Sequence, residues 1–169
     1  MASELSEKFI IGIDPGSRKL GYAVLSIDSN PSKYVECGVI TAPSSSPLYE
    51  RLREIGEGLE ELLSEYEISE AAVENVFTAQ NPKTAMVLGQ ARGMALYILA
   101  RKGIPVTGYP PNTVKKSVTG RGKAPKAQVR RSVSLLAGLT SEIDEDASDA
   151  LAVAYCHLMY RKRIDDINT

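Results

Sequence analysis

The run FIIGID at positions 9–14 constrains the fold more than any other stretch of the chain. Its first five residues are apolar or glycine, which is typical of a strand buried on both faces of a sheet. Such a strand needs a layer of helices on each side. The run ends in Asp14, which a Pro-Gly pair follows directly. Asp14 is therefore either the opening residue of a turn or a carboxylate held at the end of a central strand for chemistry.

The hydrophobic pattern predicts the order β-β-β-α-β-α-β-α-α-α. The predicted strands cover 9–14, 21–28, 34–40, 70–77 and 104–109, and the predicted helices cover 47–66, 82–102, a short segment from residue 112 or 113, 125–137, and about 144–163. The first, fourth and fifth strands are separated by helices and should be parallel to one another. The second and third strands should extend the sheet through hairpins. We predict one α/β domain over residues 1–169, built on a five-stranded mixed sheet with helices on both faces.

Helix boundaries carry their own local signals. Asn81 is a good capping residue and Pro82 suits the first helical position, so a helix should begin there. Gly103 should end that helix. The short helix that follows is predicted to begin from a cap at Asn112 or Thr113.

The net charge of −1 argues against a nucleic-acid partner, but the charge is unevenly distributed. Segment 50–74 holds nine Glu and two Arg, which gives a local charge of −7. Segment 115–131 holds seven basic residues and no acid, which gives +7: Lys115, Lys116, Arg121, Lys123, Lys126, Arg130 and Arg131. This asymmetry indicates either one surface that faces an anion or two oppositely charged solvated faces.

Three further acids stand at positions where a carboxylate is costly. Glu74 lies between apolar neighbours in AAVENVF, and a buried carboxylate is unfavourable unless it is neutralised or coordinated. Glu74 could instead point outward from its strand. Asp146 and Asp149 are three residues apart at the start of the last helix and share a face. Capping of the helix would also explain Asp146, but it explains the deeper Asp149 less well.

Together with Asp14, these acids are hard oxygen ligands of the kind that Mg²⁺ and Mn²⁺ prefer. Two such ions about 4 Å apart can align a water and stabilise the leaving oxygen of a phosphodiester. No Ser-His-Asp set is available, because His157 is the one histidine of the chain. It lies about 12 Å along the helix from Asp149, and we interpret it as a structural or partly buried residue.

The cellular location is predicted from features that the sequence lacks. The first residues show no secretory signal, and no apolar run has the length of a membrane span. Cys37 and Cys156 lack the spacing of a metal site, so we expect reduced thiols in a cytoplasmic protein.

Four motifs, in this order, closely resemble those of the RuvC Holliday-junction resolvases: GIDPGSRKLGYAV, VENVF, LGQARG and DASDALAVAYCH. The resemblance covers residues 10 to about 160 and implies the ribonuclease H-like fold. It also implies a homodimeric endonuclease that nicks two opposing strands of a four-way DNA junction in recombination and repair. Two Mg²⁺ ions per subunit are expected, with Mn²⁺ as a substitute, and a branch-migration motor of the RuvA–RuvB type is the expected partner.

The resemblance also assigns individual residues. The catalytic, metal-binding acids of the family fall on Asp14, Glu74, Asp146 and Asp149. Some members have histidine at the position of Asp146, so an all-carboxylate site is expected here. The aromatic residue that stacks on a base falls on Phe77, and the functional lysines fall on Lys115 and Lys126. Arg121 and Lys123, in the same basic segment, are predicted to contact DNA as well.

Two other functions fit part of the pattern. An actin-like ATPase or sugar-kinase-type domain also ends its first strand in Asp-x-Gly, but it needs a second phosphate-binding hairpin and an adenosine motif, which we do not find. A non-catalytic module that binds nucleic acid could keep the same fold. The presence of all four acids argues against that second alternative.

Overall fold

The computed structural model describes residues 7–29, 32–76 and 81–167, with side chains up to Arg161. These residues form β1 (Phe9–Asp14), β2 (Lys19–Ser26), β3 (Lys33–Thr41), α1 (Leu48–Glu65), β4 (Ile68–Glu74), α2 (Pro82–Arg101), β5 (Val106–Tyr109), α3 (Pro111–Thr119), α4 (Lys126–Ala137) and α5 (Glu145–Ile167). The order of strands and helices is the predicted one. Within the described residues, no helix combines the length and apolar character that crossing a membrane requires.

The sheet has the strand order β3-β2-β1-β4-β5, which places β1 at its centre. β1 is antiparallel to β2 and parallel to β4, while β4 is parallel to β5 and β2 is antiparallel to β3. The predicted mixed sheet is thus confirmed. Ile13 pairs with Val73 in the parallel register, so the next residues, Asp14 and Glu74, end their strands at the same edge.

Helices cover both faces of the sheet and form a separate apolar core on each. On one face, Ile10 of β1 packs in a cluster with residues of α3, α4 and α5. On the other face, Ile11 and Ile13 pack with residues of α1 and α2. All three isoleucines are fully buried, as the apolar run at 9–14 predicts. Each such side chain stabilises the fold by about 1.5–3 kcal/mol relative to an exposed one.

Helix α5 lies unusually close to the sheet because two strand residues opposite it are glycines. A Cβ on Gly12 would lie 2.3 Å from the carbonyl oxygen of Ala150, and a Cβ on Gly21 would lie 2.0 Å from that of Asp146. Neither distance is possible for a real side chain, so glycine is required at both positions. The small residues of α5 complete this backbone-to-backbone packing, which brings the acidic start of α5 to the end of β1.

The largest errors of the sequence prediction concern element boundaries. β4 ends at Glu74, three residues before the predicted end of that strand. Helix α3 begins at Pro111 with Pro110 as its N-cap, so the prediction of an Asn112 or Thr113 cap is wrong. The physical reason is that proline already has a helical φ and suits the first turn, where its missing N–H is not needed. The Asn81 cap is confirmed, since its side chain accepts a hydrogen bond from the backbone N–H of Lys83.

The histidine is a structural residue, as predicted. His157 is buried, and its Nδ1 lies 2.9 Å from the hydroxyl oxygen of Tyr109. Its Nε2 lies 3.0 Å from Oε2 of Glu70, whose other oxygen accepts a hydrogen bond of 2.7 Å from Nε of Arg161. Burial lowers the pKa of His157, although Glu70 acts in the opposite direction. The imidazole is therefore part of a hydrogen-bond network that ties α5 to β4 and β5.

Candidate active site

A cavity of about 310 Å³ lies where β1 and β4 end, between α3, α4 and the start of α5. All four predicted acids and two of the predicted DNA-binding lysines line it: Asp14, Glu74, Asp146, Asp149, Lys115 and Lys126. The acids come from the final residues of two adjacent parallel strands and from the first turns of one helix. This arrangement follows from the parallel pairing of β1 with β4 and from the close packing of α5.

The two strand carboxylates have strongly perturbed pKa values. Burial raises the pKa of Asp14 to about 8, and the charges of Glu74, Asp149 and Asp146 add to this effect. Burial also raises the pKa of Glu74 to about 7, with a further contribution from Asp149. Lys126 opposes both shifts. The pocket therefore shifts both acids toward their neutral forms, and Asp14 more than Glu74, unless additional positive charge enters it.

The helix carboxylates show the same tendency more weakly. Burial is the main cause of the raised pKa of Asp149 and of Asp146. Each also lies near a lysine: Lys126 Nζ is 3.7 Å from Oδ2 of Asp149, and Lys19 Nζ is 3.7 Å from Oδ2 of Asp146. Lys126 also forms an ion pair with Glu145. These ion pairs are partly exposed, and pairs of that kind contribute only about 0–1 kcal/mol.

The donor chemistry of the pocket fits a hard divalent cation, although its side chains are not arranged around one. In the described part of the chain, no group of three or more His, Cys, Asp or Glu side chains has a metal-binding arrangement. Four carboxylates nevertheless share the cavity, and the charges of three of them raise the pKa of Asp14. A bound cation would have the opposite effect on that pKa.

The remaining predicted DNA-binding residues lie outside this cavity. Arg121 and Lys123 are exposed in the connection between α3 and α4. Phe77 lies outside the described residues. A second cavity of about 480 Å³ adjoins the first between α4 and α5, and Lys126, Arg130 and Arg131 contribute to its lining. The basic surface of segment 115–131 thus continues from the acid cluster along α4.

Two arginines near the site were not among the predicted site residues. Nε of Arg51, on α1, donates a hydrogen bond of 3.0 Å to the carbonyl oxygen of Ser17, in the turn that follows Asp14. Arg92, on α2, donates to the carbonyl oxygen of Glu74. Both contacts join residues that are far apart in sequence, so helical periodicity cannot reveal them. Arg92 lies within the LGQARG motif, which is the one indication of its importance in the sequence.

Comparisons with known proteins identify the family of the chain. The family model described as crossover junction endodeoxyribonuclease RuvC matches residues 10–157. The RuvC protein of Citrifermentans bemidjiense is 46% identical over 148 residues, which are 88% of this chain and 90% of that protein. The RuvC protein of Azorhizobium caulinodans is 43% identical over 152 residues, 90% of each chain.

A solved structure shows the same fold. Thermus thermophilus RuvC in complex with Holliday junction substrate has a TM-score of 0.84 and 29% sequence identity, and the match covers 92% of this chain and 95% of that one. The five-stranded mixed sheet with helices on both faces is thus the ribonuclease H-like fold that the resemblance implies. With most of its length matched by the family model and by relatives of this identity, the chain belongs to the RuvC family of crossover junction endodeoxyribonucleases.

Proposed function

We propose that this protein is a structure-selective endonuclease that resolves four-way (Holliday) DNA junctions by paired symmetric nicks, in recombination and DNA repair. The observation that carries the proposal is the convergence of Asp14, Glu74, Asp146 and Asp149 on one cavity beside Lys115 and Lys126. A binding module would have no use for four mutually repelling carboxylates. The family membership and the Holliday junction bound by the Thermus thermophilus protein support the same class of substrate.

The four acids are proposed to hold two Mg²⁺ ions, for which Mn²⁺ can substitute. When bound, such ions activate a water and stabilise the charge that develops on the leaving oxygen of a phosphodiester. The protein contributes fixed positions for the carboxylates, because two end adjacent strands and two lie on a helix that is packed tightly on the sheet. Lys115 and Lys126 provide positive charge at the cavity wall, where a phosphate oxygen can accept hydrogen bonds from them.

DNA binding is assigned to the basic segment 115–131 and to Phe77. Arg121 and Lys123 are exposed and can reach phosphates outside the cavity. Phe77 follows β4 by three residues, close in sequence to Glu74, and we assign it the stacking of a base at the opened crossover. A branch-migration motor of the RuvA–RuvB type is the proposed partner complex. The free thiols of Cys37 and Cys156 fit the reducing cytoplasm that we propose as the location.

A homodimer through α2 is also part of the proposal. Two symmetric nicks require two sites related by a twofold axis. On α2, a Cβ added at Gly89 or at Gly93 would meet no atom within 4 Å, so these glycines do not pack on the sheet. Met86 and Tyr97 of the same helix are 66% and 62% exposed. A second copy of α2 can approach closely along this face.

The acids provide the first prediction. Asp14→Asn and Glu74→Gln should abolish nicking of a synthetic four-way junction in Mg²⁺, because neutral amides cannot supply the charge that holds divalent ions. Junction binding in Ca²⁺ should persist, since the basic segment supplies it. Gel shifts and nicking assays on each variant measure this, with the exposed Glu57→Gln on α1 as the charge-matched control. Near wild-type nicking by Asp14→Asn would mean that Asp14 is only a turn residue.

The lysines provide the second prediction. Lys115→Ala and Lys126→Ala should each weaken junction binding irrespective of DNA sequence, because each removes a positive charge that neutralises a phosphate. The slope of log affinity against log salt should become shallower by about 0.9 for each phosphate that is no longer neutralised. A salt titration measures the slope, and the exposed Lys33→Ala at the start of β3 serves as the control. Slopes equal to that of the wild type would exclude these lysines from the DNA interface.

The dimer provides the third prediction. Light scattering at micromolar concentration should give twice the chain mass of 18.3 kDa. Gly93→Gln should shift the protein toward the monomer, because its side chain would separate helices that meet at this glycine. Ser64→Gln, at an exposed position on α1, should leave the mass unchanged. A wild-type monomer under these conditions would refute the proposed dimer.

A further inference from the structure

Arg92 reaches from α2 to the final residue of β4, where Glu74 leaves the sheet. Its Nε donates a hydrogen bond of 3.3 Å to the backbone carbonyl oxygen of Glu74. Its Nη2 donates a second hydrogen bond of 2.8 Å to Oδ1 of Asn75. One planar guanidinium thus holds two successive residues of the chain. The Glu74 carboxylate takes no part in these contacts and lines the acid cavity instead.

The space around this contact leaves Asn75 little freedom. Its backbone N–H donates a hydrogen bond of 2.8 Å to the carbonyl oxygen of Tyr109, at the end of β5. A Cβ on the neighbouring Gly108 would lie 2.4 Å from Oδ1 of Asn75 and 3.1 Å from Nη2 of Arg92. Glycine at position 108 therefore makes room for the pair. Three elements, α2, β4 and β5, meet to fix the peptide that follows the carboxylate of Glu74.

We propose that Arg92 is a positioning residue for Glu74: through the carbonyl oxygen of Glu74 and the amide of Asn75, it fixes the end of β4 so that the carboxylate faces the other three acids. The physical basis is that the pairing of β4 with β5 ends at Glu74 and Tyr109, and Arg92 adds two side-chain hydrogen bonds to this last pair of the ladder. Charge-assisted hydrogen bonds from a rigid fork provide that support better than a lysine could. The inference rests on the proposed function insofar as Glu74 is taken to bind a divalent ion.

The test measures metal affinity directly and separately from activity. Mn²⁺ binding is followed by calorimetry in the full chain for the wild type, Arg92→Lys, Asn75→Ala and the double variant. Removing a partner that orients a metal ligand typically weakens metal affinity about tenfold or more, so we expect a change of that size for each single variant. The double variant should be little weaker than either single one, because both substitutions break the same link.

Two further variants control for charge and packing. Arg101→Lys alters an arginine at the end of the same helix, where it forms an ion pair with the partly exposed Glu60 of α1. This variant should bind Mn²⁺ as the wild type does. Gly108→Ala places a methyl group against the Asn75 amide and should weaken Mn²⁺ binding while Arg92 and Asn75 are both retained. The junction KM should stay constant in all variants, whereas kcat at fixed Mg²⁺ should fall in those with weakened metal binding.

The outcomes are distinguishable. If Arg92→Lys and Asn75→Ala lower the melting temperature but bind Mn²⁺ with wild-type affinity, Arg92 has only a structural role and the inference is overturned. If Arg92→Lys fails to fold, the Mn²⁺ affinities of Asn75→Ala and Gly108→Ala are used instead. Wild-type affinity in both of these variants would overturn the inference. The proposed function is checked separately with Glu74→Gln. Wild-type Mn²⁺ affinity in that variant would remove Glu74 from the metal site, whatever Arg92 does.

Discussion

The packing of the α5 backbone directly on the backbones of β1 and β2 is the constraint on which the site depends. Of the four carboxylates of the site, two end strands and two belong to α5. All four can share one cavity only while α5 lies against the sheet. Gly12 and Gly21 permit this contact, because any Cβ there would overlap a carbonyl of the helix. Even an alanine at either position would have to move α5, and the acids of the helix would move with it. This close packing therefore determines where Asp146 and Asp149 lie relative to Asp14 and Glu74.

The same arrangement is electrostatically unfavourable for the protein alone. Burial and mutual repulsion raise the pKa of Asp14 to about 8 and that of Glu74 to about 7, so the ionised cluster opposes folding. Lys126 and Lys19 offset part of this cost through partly exposed contacts with Asp149 and Asp146. Carboxylates in such a position are typical of functional sites, where local stability is lower than it could be. A bound divalent cation would attract the carboxylates and so offset the repulsion between them.

Much of this structure could be predicted from sequence because its signals are local. The apolar run before Asp14 indicated a central strand, and the helices between the first, fourth and fifth strands indicated parallel pairing. Glu74 and Asp149 were conspicuous because each is an acid among apolar or small neighbours. The contacts of Arg51 and Arg92 could not be predicted, since they join distant segments through single side chains. The start of α3 was misplaced because capping preferences were given more weight than the prolines at positions 110 and 111.

Proton release on metal binding shows whether the four acids stay partly protonated until a divalent cation enters. Calorimetric titration of Mg²⁺ at pH 7, in two buffers with different ionisation enthalpies, counts the protons released. Because the pKa of Asp14 is raised to about 8 and that of Glu74 to about 7, we expect the release of about one proton or more per subunit. We also expect an affinity that rises between about pH 6 and pH 8, because the acids must lose their protons to bind the ion. Binding without proton release, at an affinity that does not change over this range, would show that the acids are already ionised before the ion binds.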